Sequence, residues 1–427
     1  MQVLLAGATG FIGRHLLRAL LAEGHAVRCV TRSPASLPQG VSAAAADFTR
    51  DHRAEDWEAH VAGMDVVINA VGILREQGTQ TFEAVHVRAP CALFAAAARA
   101  GVRCIVQISA LGATGEARSR YHLSKKEADD FLADLGVPAA ILQPSLVFGA
   151  DGASARLFSL LASLPLVALP GGGRQCVQPL HVDDLCAAVM QLLRTPPQGV
   201  RRMELGGPQA MALRDYLRIL RAALGLGNRL PVLTVPTGMA MAAAQLAARL
   251  SGAMIDRETL QMLERGNTTS DNALPALLGH PPRAAQAFIG AQERNWLSLR
   301  ARLDWLLPLL RVSIALVWIV TGIVSFGLYP VNESYALLER TGVPPALAPL
   351  MLYGAAALDL AFGVGILVLR RRAWLWLAQI ALMLLYTIII SLRLPEFWLH
   401  PYGPILKNLP LLAAILLLYE IEKTWNT

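Results

Sequence analysis

Charge is scarce in this chain: of 427 residues only 16% are Asp, Glu, Lys or Arg, while 54% are hydrophobic. Soluble globular domains carry about 25% charged residues, so part of the chain is expected to lie outside water. That balance excludes disordered, collagen-like and disulfide-knotted classes. Cysteine is scarcer still. Cys29, Cys91, Cys104, Cys176 and Cys186 are scattered, odd in number and without CxxC spacing. They point to neither a disulfide framework nor a zinc site, and read as small buried hydrophobes in a reducing compartment. Lysine occurs only at Lys125, Lys126, Lys407 and Lys423. The net charge of +7 comes from dispersed arginines with no basic run interleaved with aromatics, so no nucleic-acid partner is expected. No secretory leader is expected either, because Val3-Leu4-Leu5-Ala6 is too short for an apolar leader core and runs into a glycine-rich turn. The first domain should therefore stay on the side where it is made.

Short β-type runs at 3–6, 26–30, 66–70, 104–108 and 139–142 alternate with segments of helical length. Such alternation implies an α/β fold, a doubly wound parallel sheet covered on both faces. Residues 41–46 read as a weaker strand whose alanines would also suit a helix. The strongest local motif is Gly7-Ala8-Thr9-Gly10-Phe11-Ile12-Gly13, between a strand and the helical pattern Leu16, Leu17, Leu20, Leu21. Gly7 permits the tight turn, Gly10 close approach of a pyrophosphate, and Gly13 close helix–strand packing, with the phosphates at the helix start. After the second strand stands Thr31-Arg32-Ser33, where an NAD site usually has Asp or Glu. Arg32 can pair with a 2′-phosphate, so NADP(H) is favoured, although the site admits NAD(H).

Tyr121-His122-Leu123-Ser124-Lys125 sets a phenol and an ammonium four residues apart, on one face of a helix over 119–135. A free tyrosine titrates at about 10. A neighbouring ammonium and an oxidised nicotinamide ring would lower that value, making Tyr121 an acid/base. Ser109, at the end of the strand 104–108, could hydrogen-bond a substrate oxygen against it.

With these residues the chain resembles the extended or atypical short-chain dehydrogenase/reductases. The likeness rests on Gly7/Gly10/Gly13, Asp47-Phe48, Asn69-Ala70-Val71-Gly72, Ser109, Tyr121 with Lys125, the segment Gln143-Pro144-Ser145-Leu146-Val147-Phe148-Gly149, and Gln178-Pro179-Leu180-His181-Val182-Asp183-Asp184. It covers residues 1–290 and is nearest the branch containing the NAD(P)H-binding accessory subunit of respiratory complex I. The resemblance implies a Rossmann domain over 1–300 with a small substrate lobe at about 145–300. Its dinucleotide would be held by Gly7, Thr9, Gly10, Phe11, Ile12, Gly13, Arg32, Asp47, Phe48, Ala70, Val71, Gly72 and Pro144, with Tyr121 and Lys125. Ser109, Tyr121 and Lys125 would be catalytic. Where the family often has Asn, this chain has His86, which reads as a structural helix residue. In the lobe, Arg174 after Pro170-Gly171-Gly172-Gly173 could meet an anion or sit on a solvated turn, and 239–250 reads as an apolar helix of the lobe or of a membrane surface.

Four apolar stretches follow, at 309–328, 346–369, 373–394 and 405–419. They read as a four-helix transmembrane bundle over 305–427 and resemble the DoxX-like family. Arg370-Arg371-Arg372 between the second and third should stay cytoplasmic, placing the Rossmann domain and the C-terminus there too, in a multi-pass protein of a bacterial inner membrane. Asp359 lies inside the second stretch, where an ionised group needs a partner or a wet cavity. These features imply a membrane-anchored NADP(H)-dependent oxidoreductase of a carbonyl or alcohol, on a lipid-like or isoprenoid small molecule. Two other readings stand beside it: a nucleotide-sugar epimerase or dehydratase, and a non-catalytic dinucleotide-binding assembly factor for a membrane protein complex.

Overall fold

The computed structural model describes residues 1–32, 37–38, 41–247, 265–401, 403 and 405–425. Ser33 and residues 248–250, which entered the sequence reading, lie outside them. Contacts divide the chain into two units, Met1–Ala301 and Arg302–Thr427.

In the first unit, strands β1 (Gln2–Ala6), β2 (Ala26–Thr31), β3 (Ser42–Ala45), β4 (Val66–Asn69), β5 (Cys104–Ile108), β6 (Ala139–Pro144) and Val200–Leu205 form one parallel sheet. Their order is Val200–Leu205, β6, β5, β4, β1, β2, β3. Burial on both faces follows the two-residue period of a strand. Val3, Leu5, Ile68, Val106 and Leu142 pack with Leu16, Leu17 and Leu20 of α1 (Phe11–Ala22) and with the helix Val182–Arg194. Leu4, Ala6, Val67, Ile105 and Ile141 pack instead with Trp57 of α2 (Ala54–Val61), Leu93 and Phe94 of α3 (Ala89–Arg99), and Ala128 and Leu132 of α4 (Arg120–Asp134). The alanine-rich segment is thus a strand, its side chains mostly exposed at the sheet edge. Successive crossovers run one way from β1 to β3 and the other way from β4 to β6, so the strand order reverses between β1 and β4. That is where such sheets bind ligands.

Beyond β6 a smaller lobe is built from paired short strands, Val167–Pro170 with Val232–Val235 and Cys176–Val177 with Met211–Ala212. The helices Ala153–Ser163 and Leu213–Ala223 close it around Phe148, Phe158, Tyr216 and Phe288. An apolar helix at Thr237–Ala247 follows. Cys29, Cys104 and Cys186 are buried, but Cys91 is half-buried and Cys176 exposed, because Cys176 lies in a two-residue strand at the lobe surface.

The second unit is helical. Among the described residues, three helices are long and apolar enough to cross a membrane, within Ala291–Leu328, Pro345–Val368 and Ala373–Arg393. The fourth expected span corresponds to Asn408–Trp425, which falls outside that class because Glu420, Glu422 and Lys423 crowd its last turns. It still runs antiparallel to Ala373–Arg393: Asn408 Nδ2 donates to Thr387 Oγ1 at 3.0 Å, and Trp376 Nε1 donates to Glu422 at the other end at 2.9 Å. Small residues allow close helix approach. A Cβ on Gly363 would lie 2.9 Å from the Ala315 oxygen, and one on Gly322 equally near the Ala356 oxygen. Asp359 is buried, and its Oδ1 lacks a hydrogen-bond partner among the described residues.

Candidate active site

The turn after β1 leaves its backbone little freedom. Gly7 has φ +83°, and a Cβ there would meet the Ala70 carbonyl at 2.8 Å; at Gly13 an added Cβ would fall 1.9 Å from the Gly7 oxygen. No side chain caps α1 at Gly10. The first N–H groups of a helix have no intrahelical partner, so this end offers donors and a positive dipole to an anion.

Beside the turn lies a cleft of about 190 Å³. Its walls bring together Gly7, Thr9, Gly10, Thr31, Arg32, Asp47, Phe48, Ala70, Val71 and Gly72, all named from the sequence, with Thr49, Ile73, Gln80 and Val85, which were not. Phe11, Ile12, Gly13, Pro144, Tyr121 and Lys125, also expected to hold the dinucleotide, are not among those walls. The Phe11 ring fills the space a Cβ on Gly149 or Gly152 would need, Ile12 packs against the sheet core, and the Pro144 carbonyl accepts the Leu111 N–H. The glycine cradle, the uncapped helix and the exposed Arg32 at the rim fit a dinucleotide. Asp47 Oδ1 accepts both the N–H and the hydroxyl of Thr49 at 2.9 Å. Partial burial pushes this carboxyl up, but the Thr49 bonds and the charges of Arg32 and Arg50 hold it below its ordinary value.

Helix α4 begins where Ser119 Oγ accepts the His122 N–H, and it carries Tyr121 and Lys125 on one face. Lys125 Nζ donates to the carbonyls of Val71 at 3.1 Å and Ile108 at 3.2 Å, tying the helix to the end of β5 and to the cleft-wall loop after β4. Burial pulls Lys125 down to about 8, against the opposing charge of Asp129. Tyr121 stands edge-on to Phe82, His86 and His122. Here the structure differs from the expectation of a lowered phenol. Burial first, and then the charge of Asp129, push Tyr121 up to about 12; the protein alone does not favour the phenolate.

Ser109 also differs from expectation. Its hydroxyl donates to Asp129 Oδ2 at 2.5 Å, so its proton is committed away from a substrate oxygen. Asp129 is fully buried, and Gln143 Nε2 approaches the same oxygen at 3.4 Å. The sequence reading missed this carboxylate, although it sits four residues beyond Lys125 and eight beyond Tyr121, a spacing that puts all three on one helix face.

His86 is a clamp. Its Nε2 accepts the Ile73 N–H at 3.0 Å, which leaves Nδ1 to donate to Ser124 Oγ at 2.9 Å, and Ser124 donates to the Tyr121 carbonyl. Burial and the charge of Lys125 push the imidazole down to about 2, so it is neutral. Asn69 shapes the same loop, accepting the Val71 N–H and donating to Gln107. Arg174 is exposed. Arg265, which the sequence did not single out, donates to Thr114 Oγ1 at 3.2 Å and lies close enough to His122 to influence it.

Residues 7–156 match the NAD(P)H-binding family, and residues 315–416 match the DoxX-like family. The chain is 30% identical over 251 residues to the NADH dehydrogenase [ubiquinone] 1 alpha subcomplex subunit 9 of Arabidopsis thaliana, covering 56% of this chain and 61% of that protein. It is 31% identical over 202 residues to the ceramide reductase of Caulobacter vibrioides, covering 46% and 62%. The similarity thus spans just over three fifths of each relative's length. In fold it is similar to a nucleoside-diphosphate-sugar epimerase from Staphylococcus aureus, with a TM-score of 0.56 at 18% identity, covering 68% of this chain and 99% of that one. The first unit thus has an NAD(P)-binding type of Rossmann fold and resembles the NAD(P)H-binding family over residues 7–156, while residues 315–416 of the helical unit resemble the DoxX-like family.

Proposed function

We propose that this chain is a membrane-anchored, NADP(H)-dependent oxidoreductase that interconverts a carbonyl and an alcohol on a lipid-like or isoprenoid substrate. The observation carrying the proposal is Lys125 Nζ, held between the carbonyls of Ile108 and of Val71, a residue of the cleft wall, one helical turn from Tyr121. A bound nicotinamide would supply or accept the hydride. The residues 7–13 turn and the start of α1 would hold the pyrophosphate, Arg32 the 2′-phosphate, and Lys125 the ribose. Tyr121 gives its hydroxyl proton to the substrate oxygen during reduction and recovers it during oxidation. The reductase relative named for a lipid substrate supports the substrate class, and the apolar helices support a site beside the bilayer, where an insoluble substrate is concentrated.

If the helices within Ala291–Leu328 and Pro345–Val368 both cross the membrane, the Rossmann domain and Arg370-Arg371-Arg372 would share one side of it. The positive-inside rule favours the cytoplasm for that side, as in a bacterial inner-membrane protein.

The test is titration of the solubilised full chain with NADPH and NADH, then addition of membrane lipid extract while following nicotinamide absorbance. NADPH preference with lipid-dependent oxidation, lost in Tyr121→Phe, supports the reductase. Similarity to a named subunit of NADH dehydrogenase keeps a second reading in play, a dinucleotide-binding assembly factor for a membrane complex without turnover of its own. That reading requires tight dinucleotide binding, no turnover, and no loss of role in Tyr121→Phe.

A further inference from the structure

We propose that Asp129 is a positioning residue that sets the direction of the Ser109 hydroxyl, so that one buried proton decides whether Ser109 meets the substrate as acceptor or as donor. This rests on the reading that the substrate oxygen sits beside Ser109 and Tyr121.

Asp129 is completely buried, and Oδ1 has no hydrogen-bond partner among the described residues, while Oδ2 takes the Ser109 proton at 2.5 Å. A structural carboxylate in such a place would normally satisfy both oxygens. This one leaves Oδ1 without a partner among the described residues, while Oδ2 takes both a short bond from the serine that borders the reacting position and a longer one from Gln143 Nε2 at 3.4 Å. With Asp129 ionised, Ser109 donates to it and presents only lone pairs, the complement of an alcohol O–H. With Asp129 neutral, the carboxylic acid O–H donates to Ser109 Oγ, and the serine proton turns outward, the complement of a ketone oxygen. No covalent bond changes; the proton is exchanged with solvent. Ketone reduction is thus favoured by the neutral acid, and alcohol oxidation by the carboxylate.

The groups facing Asp129 permit that exchange near neutrality. Burial raises the carboxyl to about 6, opposed by the Ser109 bond from β5, the charge of Lys125 from its own helix, Gln143 from β6 and the charge of Arg202 from the edge strand. Tyr121, also on α4, is raised to about 12. Lys125 at about 8 titrates above the window, and His86 at about 2 and His122 at about 4 titrate below it.

The experiment uses the full chain in nanodiscs, with farnesylacetone and the secondary alcohol made by reducing it as probes. The affinity of the NADP⁺ complex for the ketone should weaken about tenfold from about pH 5 to about pH 7.5, one hydrogen bond's worth, and affinity of the NADPH complex for the alcohol should move the opposite way. Both trends should vanish in Asp129→Asn and in Ser109→Ala. In the infrared, a buried neutral carboxyl band should titrate near pH 6, disappear in Asp129→Asn and shift in Ser109→Ala. A band that does not titrate in this range, or that ignores Ser109→Ala, overturns the proposal even if neither probe binds. So does a pH trend that survives Asp129→Asn. Loss of the site reading itself looks different: Tyr121→Phe would then keep full turnover.

Discussion

Glu422 and Trp376 meet end to end across two antiparallel helices, the indole N–H donating to the carboxylate at 2.9 Å. The same carboxylate forms ion pairs with Arg311 at 2.5 Å and Arg372 at 3.2 Å, joining three helices at the end of the unit that carries Arg370-Arg371-Arg372. Removing one partner of a buried ionic cluster leaves the other charges desolvated and uncompensated. Glu422→Ala should therefore cost about 2–3 kcal/mol, discounted for the partial exposure of both arginines. Glu422→Gln, which keeps the indole bond, should cost less. Thermal unfolding in detergent, followed by tryptophan fluorescence, checks the order of the two variants.

Acid should weaken the first unit through its histidines. His86 and His122 are held at about 2 and about 4 in the fold, whereas an unfolded histidine binds a proton below about 6.5. The unfolded chain therefore gains protons that the folded one refuses, and stability falls as pH drops below about 6.5, by ~1.4 kcal/mol per pH unit for each histidine. Asp129 has the opposite sign: its folded value of about 6 lies above that of a free carboxyl, so the fold gains from its protonation below about 6. The net loss below that point is about that of one histidine. His86→Asn should flatten the slope, read as midpoint temperature against pH.

Much of the Rossmann half is legible in the sequence because its constraints are local. A turn needing φ +83° at Gly7, and helix–strand contact that leaves no room for a Cβ at Gly13, force residue types that can be read without a partner. Val200–Leu205 escaped notice because Arg201, Arg202 and Glu204 break its apolar run, as a sheet edge allows. The Ser109–Asp129 bond escaped for a different reason: the residues are joined by fold, and neither one's local pattern names the other. The same holds for His86, whose Ile73 and Ser124 contacts converge from separate elements. Residues 405–419 read as a span from their apolar run, while the helix Asn408–Trp425 extends into charged last turns whose partners only packing reveals.

Arg32 should decide which dinucleotide is preferred. It is exposed at the rim of the cleft, close enough to Asp47 to influence its carboxyl, and a charge-assisted bond to a phosphate contributes about 1.5–3 kcal/mol. Arg32→Ala should weaken NADPH binding by about 10–100-fold and leave NADH binding nearly unchanged. Fluorescence titration with both dinucleotides checks this; equal losses for the two would show that Arg32 acts on the fold of the loop and not on the 2′-phosphate.

Two glycine substitutions should separate fold from chemistry. In Gly13→Ala the new methyl would sit 1.9 Å from the Gly7 oxygen, a backbone atom that cannot yield without moving α1 off the turn. A cost of about 3 kcal/mol and loss of NADPH binding are expected. In Gly72→Ala the nearest atoms are Lys125 Nζ at 3.1 Å and His86 Nε2 at 3.6 Å. The lysine end is flexible and can give way, but only by leaving the Val71 carbonyl. Gly72→Ala should thus keep a melting temperature close to that of the parent while losing about tenfold or more in turnover if Lys125 has the proposed role. Thermal unfolding beside single-turnover oxidation of NADPH distinguishes the two, and a Gly72→Ala protein with unchanged turnover would mean that the position of Lys125 does not limit the reaction.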